Sequence, residues 1–249
     1  MTDFAALHRP GDPLVLPNAW DVASARALAA AGFAAIGTTS LGVAAAHGLP
    51  DGRGQGKTET HFLVRQLRGG LGVPLTVDIE GGFGGSPEEV AEYAAALYDD
   101  GAAGVNIEDG PGDPAAAITA IKNRCPDLFV NARTDTYWLG SGDLAETITR
   151  CRAYLAAGAD GVFVPAIADD AEIRTLTGEI PAPVNVLLLP GMTVAHLAGL
   201  GVARVSTGSL LYRTALSAAV RAAREIAAGG SVVAAGITYA EADDLAAGR

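Results

Sequence analysis

Three acidic residues close two apolar runs at a spacing that would bring their carboxylates together. Asp78 and Glu80 stand at the end of Pro74 to Ile79, and Glu108 ends the run from Gly104. Residues two apart in a strand share a face, so Asp78 and Glu80 would point the same way. Converging carboxylates repel one another unless a cation lies among them. Without a nearby Cys or His ligand, Mg²⁺ is the expected ion, and Mn²⁺ is the alternative.

A positive side chain closes a third run of the same kind. Arg133 ends Phe129 to Arg133, and Asp135 follows two residues later. A guanidinium group binds a carboxylate or phosphonate through two parallel hydrogen bonds, which suits a small anionic substrate. Two other interpretations stay open. Arg133 could form a salt bridge with Asp135 or Glu108, and the acids could merely cap helices or pair with arginines.

The elements that would position these residues alternate between short apolar runs and alanine-rich helical stretches. This alternation is typical of βα units around a parallel sheet, and eight units fit a (β/α)8 TIM-type barrel with a C-terminal helical extension. In that fold, catalytic residues lie at the carboxyl ends of the strands. The predicted strands are Leu14 to Pro17, Ala35 to Thr39, Pro74 to Ile79, Gly104 to Glu108, Phe129 to Arg133, Gly161 to Pro165, Val184 to Leu189 and Arg204 to Thr207.

Two segments do not fit the regular alternation. Gly42 to Lys57 is too long for an ordinary βα turn, so we interpret it as a mobile lid that carries Asp51. A loop aspartate before glycine is also a common turn residue, and that interpretation of Asp51 stays open. The tail over 214–249 holds a helix to about Ala228 and a short acidic helix near Tyr239 to Ala247, which could contact a neighbouring subunit.

The composition of the 249 residues limits the partners of the protein. A net charge of −11 argues against nucleic acid and against an anionic membrane, which would both repel it. The most apolar stretch, Val184 to Ala203, contains Asn185, Pro190 and His196 and is not expected to span a membrane. With no signal-peptide pattern at the start and only two cysteines, we expect one cytoplasmic domain over 1–249.

Six ordered segments resemble the isocitrate lyase and phosphoenolpyruvate mutase superfamily. Together they cover most of the chain and are specific for the superfamily rather than for one activity. They are Pro17-Asn18-Ala19-Trp20-Asp21, Thr38-Thr39-Ser40-Leu41-Gly42, Gly48-Leu49-Pro50-Asp51, Asp78-Ile79-Glu80-Gly81-Gly82-Phe83-Gly84, Val105-Asn106-Ile107-Glu108-Asp109 and Asn131-Ala132-Arg133-Thr134-Asp135.

The resemblance implies a Mg²⁺ enzyme and a role for each matching residue. Asp78 would contact the ion directly and face the substrate, while Glu80 and Glu108 would hold the ion's water molecules. Arg133 would anchor the anionic end of the substrate, and Asp51 would be the aspartate of the lid. The backbone that would receive the substrate carboxylate belongs to Thr39, Ser40 and Leu41.

The sequence also departs from the superfamily in ways that bear on the reaction. The Lys-Lys-Cys-Gly-His motif of true isocitrate and methylisocitrate lyases is replaced by Gly110-Pro111-Gly112-Asp113-Pro114. The lysine and asparagine of the mutases are missing there too, as is their histidine at the end of the sixth strand, which here reads Val162-Phe163-Val164-Pro165. Cys125 comes too late to replace the lyase cysteine, and we interpret it as structural.

These observations predict a Mg²⁺-dependent carbon–carbon lyase or decarboxylase. Its substrate would be a small 2-oxo or 2-hydroxy dicarboxylic acid, and the reaction would pass through an enolate-like intermediate, with Asp51, Glu108 and Arg133 as the catalytic residues. One alternative is a mutase or hydrolase that acts on phosphorus–carbon bonds. Another is a 2-oxo acid binding protein without efficient catalysis. The resemblance also implies a homo-oligomer, namely a tetramer that exchanges a C-terminal helix.

Overall fold

Parallel strands and helices alternate along the chain in the computed structural model, which describes residues 3–109, 114–140, 142–231 and 236–248. The strands are β1 (Leu14–Leu16), β2 (Asn18–Ala19), β3 (Ile36–Thr38), β4 (Leu75–Asp78), β5 (Gly104–Ile107), β6 (Phe129–Arg133), β7 (Gly161–Val164), β8 (Val184–Leu187) and β9 (Arg204–Ser206). The helices are α1 (Val22–Ala30), α2 (Ser40–Ala46), α3 (Lys57–Leu67), α4 (Pro87–Asp99), α5 (Pro114–Arg124), α6 (Leu144–Ala156), α7 (Asp170–Glu179), α8 (Val194–Gly199), α9 (Leu210–Ala227) and α10 (Tyr239–Ala247).

The sheet closes because β1 and β2 are two parts of one strand. Leu14 lies opposite Arg204 on β9, and Asn18 lies opposite Gly37 on β3, so this segment joins the last strand to the second. Pro17 separates the two parts, since proline has no N–H to donate to the ladder. All neighbouring strands are parallel, in the order β1-β9-β8-β7-β6-β5-β4-β3-β2. The predicted (β/α)8 TIM-type barrel is therefore confirmed.

Local sequence signals set the ends of the helices. At α4, the Ser86 hydroxyl accepts a hydrogen bond from the Glu89 N–H, and the Glu89 side chain accepts one from the Ser86 N–H. This reciprocal cap fixes the start of the helix. After the helix, Gly101 adopts a φ of 99°, a left-handed conformation that glycine accepts without steric cost. The C-terminal extension is also helical, but α9 begins at Leu210, earlier than the predicted boundary at residue 214.

Side-chain alternation separates the hydrophobic core from the barrel interior. On β4, Val77 and the following Ile79 are fully buried in the core cluster that also contains residues of the surrounding helices. Asp78 and Glu80 therefore project to the other side, into the barrel. The opposite end of the interior is filled by Phe4, Leu14 and Phe129, which form a separate buried cluster. The acids consequently stand at one open end of a filled barrel.

The predicted lid needs a correction. Gly42 to Ala46 belong to helix α2, so only residues 47–56 form a connection before α3. The alanine run over Ala44–Ala46 favours the helix, and Thr39 precedes it in an extended conformation.

No helix among the described residues is both long enough and apolar enough to cross a membrane.

Candidate active site

Three neighbouring strands bring the predicted acids and the arginine to the same end of the barrel. Asp78 on β4 lies opposite Asn106 on β5, and the Glu108 N–H donates a hydrogen bond to the Glu80 carbonyl at 3.1 Å. Glu108 in turn forms a salt bridge with Arg133 at the end of β6 (2.6 Å, Oε2 to Nη1). The sequence therefore identified side chains that the fold does bring together.

Glu80 is held in an unusual position by the turn that follows β4. Its φ of 50° is left-handed, which is uncommon for a residue other than glycine and is found at functional sites. Its Oε2 accepts a hydrogen bond from the Gly54 N–H at 3.0 Å. Its Oε1 is buried and has no hydrogen-bond partner among the described residues. Burial raises the pKa of Glu80, although the bond from Gly54 opposes this.

Arg133 pairs with two acids of the site through its Nε and Nη1 atoms. Its Nε donates to Asp135 Oδ1 at 2.6 Å, and its Nη1 pairs with Glu108, so both salt-bridge partners considered from the sequence are present. Its guanidinium carbon also lies 5.6 Å from the centre of the Trp138 ring and 5.9 Å from that of Phe163. Burial lowers the pKa of Arg133, but the charges of Glu108 and Asp135 raise it overall. The side chain thus stays a fixed cation.

The acids nevertheless outnumber the positive charge that faces them. Burial raises the pKa of Glu108 from 4.5 to about 8, and the charge of Asp78 adds to this effect while Arg133 opposes it. Burial likewise raises the pKa of Asp51 and of Asp135. A group of carboxyls that are costly to ionise together is a group that a divalent cation would stabilise.

The donor set fits a hard cation that keeps much of its water. Asp78, Glu80 and Glu108 supply carboxylate oxygens, and the buried Oε1 of Glu80 lacks a hydrogen-bond partner within the described part of the chain. Among the described residues, no three His, Cys, Asp or Glu side chains already stand together as a metal-binding group. Mg²⁺ suits such a site because it binds through one or two carboxylates and retains several water molecules. Asp78 is the residue that would hold it, and Glu80 and Glu108 would hold its water.

The connection before α3 lies over the acidic end of the barrel. Asp51 contacts the Ser40 side chain through a hydrogen bond and faces the charges of Asp78 and Arg133. The Ser40 N–H donates to Asp78 Oδ2 at 3.2 Å, so the segment Thr39 to Leu41 adjoins the same carboxylate. The structure therefore brings the predicted lid aspartate and the predicted carboxylate-binding backbone to Asp78. His47 is exposed, and its ring Nδ1 lies in hydrogen-bonding contact with the Val43 carbonyl of helix α2 at 2.9 Å.

Asp109 holds the residues that follow β6 in position. This structural role was not predicted from the sequence. It accepts hydrogen bonds from the Thr134 hydroxyl at 3.0 Å and the Asp135 N–H at 3.1 Å. It also pairs with Arg150 at 2.7 Å and accepts a bond from the Tyr154 hydroxyl. Asp109 follows Glu108 directly and so points away from the mouth. The alternation of side chains between Glu108 and Asp109 was the sequence feature from which a structural role of Asp109 could have been predicted.

A buried polar layer beneath the mouth was missed as well. Arg204 is completely buried and donates to Asn106 Oδ1 and to the Ser206 hydroxyl, both at 3.2 Å. Asn131 donates to the same Asn106 oxygen at 3.0 Å. Burial lowers the pKa of Arg204 to about 9, against the attraction of Asp78. Polar residues inside otherwise apolar strands were the signal for this layer.

The structure buries both cysteines. Cys125 and Cys151 are both free thiols, and burial raises the pKa of each, to about 12 for Cys151. The interpretation of Cys125 as structural agrees with its burial at the end of α5. The segment that replaces the lyase motif, 110–113, lies outside the described residues.

Comparison with known proteins places this geometry in a family. Residues 4–227 match the family model described as phosphoenolpyruvate phosphomutase. An uncharacterized protein of Mycobacterium tuberculosis is 50% identical over 234 residues, which are 91% of this chain and 89% of that protein. The 2-methylisocitrate lyase of Bacillus subtilis is 33% identical over 206 residues, 76% of this chain and 66% of that enzyme.

The fold of the chain is also similar to that of a solved structure. Phosphonopyruvate hydrolase in complex with oxalate and Mg²⁺ superimposes with a TM-score of 0.85 over 98% of this chain and 94% of that one. At 24% identity this likeness concerns the fold. The family model and the methylisocitrate lyase carry the assignment further, and the chain belongs to the phosphoenolpyruvate mutase and isocitrate lyase superfamily of lyases and mutases.

Proposed function

We propose that the protein is a Mg²⁺-dependent carbon–carbon lyase or decarboxylase for a small 2-oxo or 2-hydroxy dicarboxylic acid. The observation that carries the proposal is the surplus of buried carboxyls around Asp78, next to the cationic Arg133. A dicarboxylic acid matches both features, since one end chelates a cation and the other pairs with a guanidinium group. The Mg²⁺ in the hydrolase complex and the lyase activity of the Bacillus subtilis relative support the proposal.

In such a reaction, some residues would hold the metal ion and others would bind the substrate. Bound Mg²⁺ would supply Lewis-acid stabilisation for the negative charge that develops on the substrate oxygen as an enolate forms. Asp78 would hold the ion, and the Ser40 N–H would keep the Asp78 carboxylate oriented. Arg133 would bind the distal carboxylate and so fix the scissile bond relative to the ion.

The lid would exclude water and handle a proton. Asp51 reaches the site from the connection over 47–56, and burial raises the pKa of its carboxyl. A carboxyl whose pKa lies closer to neutrality transfers protons more efficiently at physiological pH. We assign Asp51 to proton transfer at the substrate carbon, with Glu108 as the neighbouring acid that balances the charge of Arg133.

Phosphorus–carbon bond chemistry is the second candidate. The phosphoenolpyruvate phosphomutase family model and the fold of phosphonopyruvate hydrolase favour it. The end of β7 argues against it, because Val164 and Pro165 stand where the mutases and hydrolases carry a histidine. We therefore expect phosphorus NMR to show no change when the protein is incubated with phosphonopyruvate and Mg²⁺.

The proposed reaction is tested by incubating the protein with Mg²⁺ and a panel of oxaloacetate-like and substituted malate-like acids. Release of pyruvate or glyoxylate is the readout. We expect Asp78→Ala to lower kcat/KM at least about a hundredfold, because several kcal/mol of metal-borne stabilisation are lost. Asp12→Ala is the matched control, since Asp12 pairs with Arg9 on the surface, with 74% of its side chain exposed.

Two results would contradict the proposal. One is turnover that survives both EDTA and Asp78→Ala, since neither should spare a Mg²⁺ enzyme. The other is failure to convert any acid of the panel while oxalate still stabilises the protein in a saturable, Mg²⁺-dependent manner, which would indicate a binding protein instead.

A further inference from the structure

Apolar side chains lie on the strands next to those that carry the acids. The acids and Arg133 lie at or just beyond the ends of β4, β5 and β6. The next strand, β7, contributes Phe163 to the interior, where it is 7% exposed, and ends at Val164, which Pro165 follows. Leu187 on β8 projects to the same interior, because it is two residues beyond the inward-facing Asn185. Phe163 and Leu187 therefore add apolar side chains to the barrel interior on the two strands that follow the acids and Arg133.

Trp138 is a further apolar side chain, and its ring lies next to the Arg133 guanidinium group. It lies in the loop after β6, and 55% of its surface is exposed although the indole is large and apolar. Its ring lies 5.6 Å from the Arg133 guanidinium carbon, and Phe163 lies 5.9 Å from the same atom. Both aromatic rings therefore border the cation proposed to bind the substrate's distal carboxylate.

An indole exposed at the mouth of a barrel is surface that a ligand can cover. Exposed apolar groups grouped beside a convergent polar group are typical of ligand sites, where the polar group orients the ligand and the apolar groups give contact area. A carboxylate held by Arg133 would place its neighbouring carbon within reach of the indole. A substituent on that carbon would then meet Trp138 and Phe163 rather than the acids.

We propose that Trp138 and Phe163 form an apolar subsite beside Arg133, and that the protein prefers dicarboxylic acids bearing a hydrocarbon substituent next to the carboxylate bound by Arg133. This inference rests on the proposed function, since it takes Arg133 as the anchor of the distal carboxylate. Trp138 is the specificity-determining residue in it, because its exposed surface is what a substituent would bury.

The test compares malate with 3-methyl-, 3-ethyl- and 3-propylmalate in the presence of Mg²⁺. Binding is measured as the concentration that gives half-maximal thermal stabilisation, and turnover is measured separately. Burial of each added methylene should improve affinity about three- to fourfold, as expected for about 0.8 kcal/mol per CH₂. Trp138→Ala should flatten this series, and Trp138→Phe should retain part of it.

Leu139→Ala is the matched control, because Leu139 adjoins Trp138 in the chain and is 79% exposed. It should leave the dependence on chain length as in the parent protein. A merely structural role of Trp138 would weaken the binding of all four acids equally and would not change that dependence. The ratio between propylmalate and malate is therefore the decisive quantity.

The outcomes separate this inference from the proposed function. Affinity that rises with chain length without turnover would support the subsite and refute the lyase. Turnover without dependence on chain length, or dependence that survives Trp138→Ala, would overturn the subsite alone. If no acid binds, both fall. If Trp138→Ala and Leu139→Ala both lower the molecular mass in solution, the two side chains belong to an interface between copies, and the subsite is refuted.

Discussion

Glu108 shows how a single residue reports the charge balance of the site. Its carboxylate pairs with Arg133, which should favour ionisation, yet burial and the charge of Asp78 prevail and raise its pKa to about 8. The folded protein therefore holds a proton on Glu108 more tightly than the unfolded chain, in which the pKa is near 4.5. Because ionisation of the buried group opposes folding, stability is lost as the pH rises between these two values.

Glu108→Gln should reduce this dependence on pH. In EDTA, the free energy of unfolding of the parent protein is expected to fall between about pH 5 and pH 8, and the fall should be smaller in the variant, which has no proton to lose at this position. Urea denaturation over that range measures it. Glu92→Gln is the control, because Glu92 pairs with Arg124 on the surface with 71% of its side chain exposed. Equal dependence on pH in Glu108→Gln and the parent would contradict the assignment.

At the scale of elements, the site depends on contact between the loop that precedes α3 and the turn that follows β4. The loop over 47–56 rests on the turn after β4, where the Gly54 N–H binds Glu80. Gly54 has a φ of +70°, and a Cβ there would come within 3.1 Å of the Phe83 carbonyl oxygen. The connection proposed as a lid can approach the turn this closely because Gly54 carries no side chain.

Gly54→Ala should therefore displace the lid, and Gly48→Ala provides the comparison. Gly48 has a φ of +72° in the same connection, but a Cβ there would meet nothing within 4 Å. Both changes should cost about 1 kcal/mol of stability for the left-handed backbone. Only Gly54→Ala should also lower kcat/KM, by about tenfold, because a displaced lid leaves Asp51 and Glu80 misplaced. Equal kcat/KM values in the two variants would contradict this view of the lid.

At the scale of the whole molecule, the C-terminal extension is incompletely covered. Helix α10 is anchored to the barrel, since Arg26 donates to the carbonyls of Leu245 and Ala246 at 2.8 Å. Helix α9 has no buried residue over its 18 residues, and Leu216 and Val220, one turn apart, are each 50% exposed. An apolar helical stripe of this kind is typical of an interface. We propose that α9 packs on another copy of the chain, in a tetramer by resemblance to the superfamily.

The oligomer is tested with Leu216→Glu combined with Val220→Glu. Two buried, unpaired carboxylates at an interface would disfavour association, so the molecular mass from light scattering should fall toward that of one chain. The control is Thr214→Glu combined with Ala222→Glu, exposed positions on other faces of α9. A parent protein that is already monomeric, or an unchanged mass in the first variant, would contradict the proposal.

The sequence by itself determined the barrel and the members of the acidic group. Strands buried on both faces need continuous apolar runs, and such runs can be recognised in the sequence without knowing which strands pair with one another. The runs also end at their polar residues, so Asp78, Glu80, Glu108 and Arg133 could be assigned to one end of the sheet. Within the segment predicted as a lid, helix α2 escaped notice because the glycines there suggested a loop more strongly than the alanines suggested a helix.

Only the tertiary structure decided which groups contact one another. Arg133 pairs with Glu108 and Asp135 at once and lies beside Trp138, contacts that join β5, β6 and the loop after β6. Asp109 binds groups up to 45 residues away. Periodicity gives the side of an element on which a residue lies, but pairing depends on distances between elements, which the packing of the whole barrel sets. For that physical reason the sequence identified the acids, and the fold determined their partners.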